Sequence, residues 1–301
     1  MTNVGIIGAG VMGRRAAERV AAAGHPVLVY DVVPAAARGL LASGNVTALS
    51  DPAAVAASAD VVLLYLPGPV EVAECVAGKK GLLESVRAGA VIVDQSTVDP
   101  ATSQTMAGLA DAKSVGYVDA PVLGRPSMVG KWALPVGGRA SDLEKCTPVL
   151  NLLAAHIFHI GPSGAGNQVK LLNQLMFGAI NAMTAEIMAI AERVGVAPKL
   201  LYETITASQA GTVSNLFREL GARIAADDYR DPTFSVDLLI KDVQLAVEMA
   251  RNHGAPPLLA GSVQFLNDAA RAQGFGKLDT SVMWKCYRQF WERRESSTGE
   301  P

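Results

Sequence analysis

VGIIGAGVMG, Val4 to Gly13, is the stretch that decides the fold: a short apolar run followed by Gly8, Gly10 and Gly13 in the spacing G-x-G-x-x-G. A helical pattern continues to Ala22, and Gly24 stands where a helix would stop. Each glycine has a mechanical reason. Gly8 permits a tight turn, Gly10 lets backbone approach a pyrophosphate, and Gly13 lets helix and strand pack closely, while the helix N-terminus offers N–H groups to phosphate. A second apolar run, PVLVY, then ends in Asp31, an acid about 20 residues on, the place from which a carboxylate accepts hydrogen bonds from an adenosine ribose. The turn Gly8, Gly10, Val11, Met12 and Gly13, with Asp31, is therefore read as a dinucleotide cradle. Val32 and Val33 follow Asp31 where an arginine would serve a 2′-phosphate, so NAD is expected over NADP, with Arg38 the cation within reach of that corner.

Outward from this unit the alternation continues. Helices are expected around Pro34 to Ser43 and after Asp51-Pro52, a strand from Asp60 to Leu66, a helix over Val70 to Ala77, a strand Ala90 to Asp94 and a helix from Pro100. Apolar strands alternating with helices predict a doubly wound, mostly parallel sheet, whose ligands sit beyond the carboxyl ends of the strands. Leu66-Pro67 and Ser96-Thr97 fall at such ends and are candidate walls of a nicotinamide pocket; for Ser96-Thr97 the competing reading is a helix cap before Pro100. Strand Tyr117 to Ala120 leads into a loop rich in Gly, Pro and Ser, then a strand near Trp132 to Val136. Leu123, Gly124 and Arg125 lie in that loop, and Arg125 is either a solvated arginine or a fork for an anionic substrate group. A helix Ser141 to Leu153, capped by Ser141, and a strand His156 to Ile160 complete this part. His156 and His159 point to opposite faces of such a strand, and with no other cluster at ligand spacing no metal is expected.

From Ser163 the pattern is wholly helical: a long helix to about Val194, one after Pro198, then segments near Thr212 to Ala225, Val236 to His253, Pro257 to Gln273 and Ser281 to Arg294. The expected domains are 1–162, a dinucleotide-binding α/β Rossmann domain; 163–295, an all-α domain joined by a long interdomain helix; and a flexible tail, 296–301. At the seam lies GAGNQVKLLN, Gly164 to Asn173, where Lys170 and Asn173 are three apart and share a helix face. That position, between a dinucleotide pattern and a helical half, makes Lys170 the candidate proton-transfer residue. Lys241, beside Asp242 on an otherwise apolar helix, is read with even weight as a surface pair or a residue of the cleft.

At 301 residues the chain exceeds what one core usually fills, roughly 250 to 300 residues. A net charge of -2 carries no footprint for nucleic acid or an anionic membrane. Three scattered cysteines and no export signal at the N-terminus lead to the expectation of a cytoplasmic protein with reduced thiols. Leu171 to Ala191 approaches membrane-span length but is interrupted by Asn173, Gln174, Asn181 and Glu186, so it is read as a buried helix. Helices rich in Ala, Leu and Met predict a homo-oligomer.

Five segments together resemble the β-hydroxyacid dehydrogenase family, which includes 3-hydroxyisobutyrate dehydrogenase, tartronate semialdehyde reductase and, more distantly, 6-phosphogluconate dehydrogenase. They are GAGVMG (Gly8–Gly13), DQSTVDP (Asp94–Pro100), DAPVLG (Asp119–Gly124), GAGNQVKLLNQ (Gly164–Gln174) and FSVDLLIKD (Phe234–Asp242). The resemblance implies an NAD(P)-dependent oxidoreductase transferring hydride between nicotinamide and a small β-hydroxy acid or its semialdehyde, and narrows the expected homo-oligomer to a homodimer or homotetramer. Lys170 would be general acid and base, a task that calls for a lysine of near-neutral pKa. Asn173 would hold the hydroxyl or carboxylate, Thr97, Leu66 and Pro67 would contact the cofactor, and Lys241 would close on it from the helical domain. One departure stands out: where the family commonly reads DAPVSGG, this chain has Leu123 for the serine and Arg125 for the second glycine. A hydroxyl donor is exchanged for a guanidinium, which points to a small anionic substrate met by Arg125. Alternatives are a sulfolactaldehyde-type reductase acting on a sulfonate, an imine reductase or reductive aminase on the same fold, which Lys170 disfavours, and a non-catalytic dinucleotide-binding module.

Overall fold

The computed structural model describes residues 1–208, 214–255 and 257–289. It divides into two compact units, Met1–Leu171 and Leu172–Pro301.

In the first unit, β1 (Val4–Ile7), α1 (Val11–Ala22), β2 (Val27–Tyr30), α2 (Pro34–Arg38), β3 (Val46–Ala48), α3 (Pro52–Ala56), β4 (Val61–Leu64), α4 (Pro69–Ala77), β5 (Val91–Asp94), α5 (Pro100–Asp111), β6 (Gly116–Asp119), β7 (Trp132–Gly138), α6 (Ala140–Leu153) and β8 (Ala154–Gly161) follow one another. The sheet order is β3-β2-β1-β4-β5-β6-β7-β8. Every neighbouring pair is parallel except β6 and β7. Alternation along each strand decides which helices cover which face. Val4, Ile6, Val61, Leu63, Val91 and Val93 pack with α1 and α6, whereas Ile7, Val62, Leu64 and Ile92 face α3, α4 and α5. Order reverses between β1 and β4, which opens a crevice at their carboxyl ends.

Three expectations are corrected here. The helix expected over Pro34 to Ser43 ends at Arg38, and a separate 3-10 turn follows at Leu41–Ser43. The short edge strand β3 after it carries only three residues, too few to show a period. Ser141 does not cap α6, whose N-cap is Arg139 without a side-chain bond. The cap before Pro100 is Asp99, which accepts from Thr102 N at 2.9 Å, so Ser96-Thr97 is not a helix cap.

The first turns of α7 (Ala165–Arg193) belong to unit 1. The second unit holds the rest of α7 with α8 (Pro198–Ala207), α9 (Asn215–Ala226), α10 (Val236–Asn252), α11 (Leu258–Ala272), a 3-10 turn Thr280–Met283 and helical residues 284–289. The expected helix starts at Thr212, outside the described residues, as are the end at Arg294 and the tail 296–301; Ser214 caps α9 by accepting from Phe217 N. The unit's core gathers Ala185, Met188 and Ala189 of α7 with Leu239 and Val243 of α10, Val263 and Ala270 of α11, and Met283 and Trp284. By length and composition α7 could cross a membrane. Its inner face, however, is a protein core, because Gln174 and Asn181 are buried and bonded to Asp242 and the Thr280 carbonyl. Gly178 lets α7 approach α10 and α11, since a methyl there would lie 3.0 Å from Val263 and 3.1 Å from Val243.

Candidate active site

The crevice at the β1 and β4 ends is shaped by the glycine turn. Gly8 has φ +92°, and a Cβ there would collide with the Tyr65 carbonyl. A Cβ on Gly13 would fall on the Gly8 carbonyl oxygen, while one on Gly10 would meet nothing within 4 Å. Gly10 therefore faces open space, the room a pyrophosphate needs. It is also the N-cap of α1, with no side-chain cap and no acid in the first turn, so the helix N–H groups are left to an anion. These are features of a dinucleotide cradle, and the residues fit that cofactor.

Asp31 braces the turn: Ala9 N donates to its Oδ2 at 2.6 Å and Val33 N to its Oδ1 at 2.7 Å. Its carboxylate is thus held by backbone at the end of β2. Val11, Val32 and Val33 leave exposed apolar surface in the adjoining segments, Met12 packs against the core, and Arg38 is exposed at the end of α2.

At the end of β5 most of Asp94-Gln95-Ser96 is scaffold. Asp94 is fully buried and accepts from Ser96 N and Tyr117 Oη, each at 2.9 Å. Burial, with the charge of Asp94 beside it, pushes the Tyr117 phenol well above its ordinary value. Gln95 accepts from Tyr65 Oη. Ser96 is 3% exposed, and its Oγ accepts from Leu66 N at 2.9 Å, fixing the Leu66-Pro67 turn rather than lining a pocket. Thr97 is the half-buried residue that follows.

Asp119, at the end of β6, reaches the first turn of α7. Its Oδ1 accepts from Gly164 N at 2.7 Å and its Oδ2 from Asn167 N at 2.9 Å. The two glycines of GAG have separate reasons: a Cβ on Gly166 would press on both the carbonyl and the carboxylate of Asp119, whereas Gly164 has φ +94° and its Cβ would press on Pro100. Asn167 in turn accepts from Val98 N at 3.2 Å and donates to Ser103 Oγ. Burial raises the Asp119 carboxyl to about 6 against the pull of its two N–H donors. One turn further on, Lys170 Nζ donates to the Val122 carbonyl at 2.9 Å.

The loop that Lys170 meets is itself held. Leu123 forms an isolated antiparallel bridge with Ala133. Trp132, fully buried, packs under Gly124 and donates its Nε1 to the Arg125 carbonyl at 2.8 Å. Arg125 is half-buried and begins a 3-10 turn, Pro126–Met128. The 122–125 loop, Thr97 and the glycine turn follow the carboxyl ends of β6, β5 and β1, the edge at which such sheets bind ligands, and Lys170 reaches that loop through the Val122 carbonyl.

Asn173 and Lys241 lie in the second unit. Asn173 is exposed and donates to Gln174 Oε1 at 3.2 Å, and Lys241 Nζ pairs with Asp242 Oδ1 at 2.6 Å. Asp119, Asn167, Trp132, Gln174 and Asp242 carry most of this organisation and received no role from the sequence. The available signal was a polar residue inside an otherwise small or apolar motif. The cysteines Cys75, Cys146 and Cys286 are free and buried.

Comparison with known proteins gives two family matches that together span most of the chain. Residues 3–161 match the NAD-binding domain of 6-phosphogluconate dehydrogenase, and residues 164–287 the NAD-binding region of NADP-dependent 3-hydroxyisobutyrate dehydrogenase. The chain is 32% identical to 2-(hydroxymethyl)glutarate dehydrogenase of Eubacterium barkeri, over 95% of each chain. It is 29% identical to 3-sulfolactaldehyde reductase of Escherichia coli, over 94% of this chain and 95% of the relative. The crystal structure of 3-hydroxyisobutyrate dehydrogenase from Salmonella typhimurium superposes with a TM-score of 0.89 at 28% identity, covering 95% of this chain and 99% of that one.

Proposed function

The chain belongs to the β-hydroxyacid dehydrogenase family, and from that premise we propose that it moves hydride between a nicotinamide dinucleotide and a small β-hydroxy acid or its semialdehyde, with Lys170 handling the proton. The observation that carries this is Lys170 Nζ bonded at 2.9 Å to the Val122 carbonyl, on a helix whose first turn is pinned by Asp119 and Asn167. A bound nicotinamide supplies the hydride acceptor or donor. Lys170, as the free amine, takes the proton from the substrate hydroxyl; in the other direction its ammonium gives a proton to the carbonyl oxygen. Val122 aims that nitrogen, and the buried α7 turn limits its wander, so the proton moves along one line. Asn173 holds the substrate oxygen and Lys241 the cofactor.

NAD is the cofactor in this reading. The Asp31 carboxylate is supported by Val33 and Ala9 at the ribose corner and would repel a 2′-phosphate. The substrate is anionic: Arg125 offers a charged fork in place of a hydroxyl, and Trp132 holds its backbone. The exposed residues Leu172, Met176, Met183 and Ile190 of α7 support a homodimer or homotetramer. Buried, unpaired thiols support a cytoplasmic setting.

The test follows reduced-nicotinamide absorbance with NAD and NADP separately, over β-hydroxy acids, hydroxysulfonates and the matching aldehydes, with Lys170→Ala beside the parent. Turnover with NAD that the variant loses by at least two orders of magnitude is expected. Turnover that survives in Lys170→Ala removes the lysine from the mechanism, and none with any hydroxy acid removes the alcohol chemistry. The preferred anion, and a rise in KM for it alone in Arg125→Ala, identify what Arg125 meets.

A further inference from the structure

In the second unit a chain of polar contacts, buried at its middle, runs between two helices. Asn173 Nδ2 donates to Gln174 Oε1 at 3.2 Å, Gln174 Nε2 donates to Asp242 Oδ2 at 2.6 Å, and Asp242 Oδ1 pairs with Lys241 Nζ at 2.6 Å. Consecutive helical residues are about 100° apart, so each pair divides into an inner and an outer member. Gln174 and Asp242 are 3% and 2% exposed and face each other, α7 to α10; Asn173 and Lys241 lie outside them. We propose that Gln174 and Asp242 are a positioning pair that sets the orientation of Asn173 at one end and of Lys241 at the other, the side chains assigned above to substrate and cofactor. The proposal rests on that assignment.

The chemistry of the chain fixes its direction. An ionised carboxylate only accepts, so Asp242 forces the donor end of the Gln174 amide toward itself. That leaves Gln174 Oε1 pointing outward, where it can only accept, and Asn173 must turn its Nδ2 toward it. The charge of Asp242 thus determines which end of the Asn173 amide faces Gln174. Its other oxygen meets the Lys241 ammonium, which shares a buried carboxylate and is thereby held to one side of α10. Asp242 is buried on a helix whose other buried residues include Leu239, Val243 and Ala246, a setting in which a lone charge would be costly, so pairing on both sides has a physical reason.

Two variants separate the ends. Gln174→Met keeps the shape and the Asp242–Lys241 pair but cuts the link to Asn173. Asp242→Asn can accept or donate, so it releases the Gln174 amide to flip and strips Lys241 of its counter-charge. The expectation is that Gln174→Met lowers kcat on the order of tenfold, the effect of one misplaced hydrogen bond, and leaves the NAD dissociation constant, read by fluorescence, unchanged. Asp242→Asn lowers kcat and also weakens NAD. In the Asn173→Ala background, Gln174→Met should add less than about twofold to the loss of kcat, and in the Lys241→Ala background Asp242→Asn should add less than about twofold to the loss of NAD affinity. Full multiplication of the effects in either background, or a Gln174→Met enzyme with parental kcat, overturns the proposal. If Asp242→Asn is recovered only unfolded, the Gln174→Met cycle decides alone. NAD affinity is measured without turnover, so an enzyme that binds NAD through Lys241 yet oxidises no hydroxy acid counts against the proposed reaction and leaves the Asp242–Lys241 link tested.

Discussion

Replacing Asp119 by Asn should remove a pH dependence of stability that the parent protein carries. Asp119 is fully buried, accepts from Gly164 N and Asn167 N, and has its carboxyl raised from 3.8 to about 6, chiefly by burial and further by the charge of Asp94. The folded state therefore holds this proton more tightly than the unfolded chain does. Between about pH 4 and 6 the folded protein keeps a proton that the unfolded chain has released, and stability falls as pH rises. The contribution is fully present below pH 3.8 and is lost as pH passes through about 6. At about 1.4 kcal/mol per pH unit, the gap amounts to roughly 3 kcal/mol, of which about 1.5 kcal/mol lies between pH 4.5 and 6. In Asp119→Asn the titration is gone. What remains is a constant offset of about 1–3 kcal/mol, because the amide presents a donor to an N–H that had an acceptor. Urea unfolding of both proteins, followed by circular dichroism at half-unit steps from pH 4.5 to 7, reads the difference directly, and groups common to both cancel. The parent's margin over the variant should shrink by about 1.5 kcal/mol between pH 4.5 and 6 and level off by pH 7. A margin that is flat, or that widens with pH, would refute the account of Asp119 as a carboxylate whose burial outweighs its two hydrogen bonds.

Other substitutions test the cradle and the loop. Gly13→Ala puts a methyl on the Gly8 carbonyl oxygen, so calorimetric titration should find NAD binding weakened by at least tenfold, whereas Gly10→Ala, which meets open protein space, should hurt NAD binding without lowering the melting temperature. Trp132→Phe removes the donor to the Arg125 carbonyl, and steady-state kinetics should give a higher KM for the anionic substrate, with about 1–2 kcal/mol lost in urea unfolding. Asp31→Asn loses the charge but keeps one acceptor for the Ala9 or Val33 amide, and the ratio of kcat/KM for NAD over that for NADP should fall on the order of tenfold.

How much of this could be read in advance depended on whether a residue's role was local. The glycine turn, the strand after it and the acid at its end are fixed by neighbours within one strand-helix-strand unit, so Gly8, Gly13 and Asp31 stand where spacing put them. Helix starts that depend on one side chain were less legible when several candidates lay close together. Asp99 rather than Ser96 or Thr97 caps α5, and Arg139 rather than Ser141 precedes α6. Ser96 serves instead a backbone N–H on the neighbouring strand's loop, a partner 30 residues away that no local pattern reveals.

The same distinction explains why the motifs hold more than the groups that would touch ligand. DQST, DAPV and GAGN are far apart in the chain, but Asp119 bonds to the turn of GAGN, and Asn167 bonds to the backbone beyond DQST. A lysine at the end of four flexible bonds transfers protons along one line only if the helix bearing it cannot shift, and α7 is tied down at the turn before Lys170 by these two buried residues. Gly166 is needed because a side chain would fill the contact with Asp119, and Asp119 supplies the acceptor for Gly164 N and Asn167 N, which have none within the helix at its start. Burial divides the polar residues of these motifs: Asp94, Ser96, Asp119 and Asn167 are buried and bonded to backbone or neighbouring side chains, whereas Thr97, Arg125 and Lys170 are partly open. In this chain the departure at Leu123 and Arg125 falls on the open side of that division, in a loop whose backbone Trp132 and Ala133 hold. A substitution confined to the Arg125 side chain is therefore expected to change KM for the anionic substrate while the α7 turn before Lys170 stays held by Asp119 and Asn167.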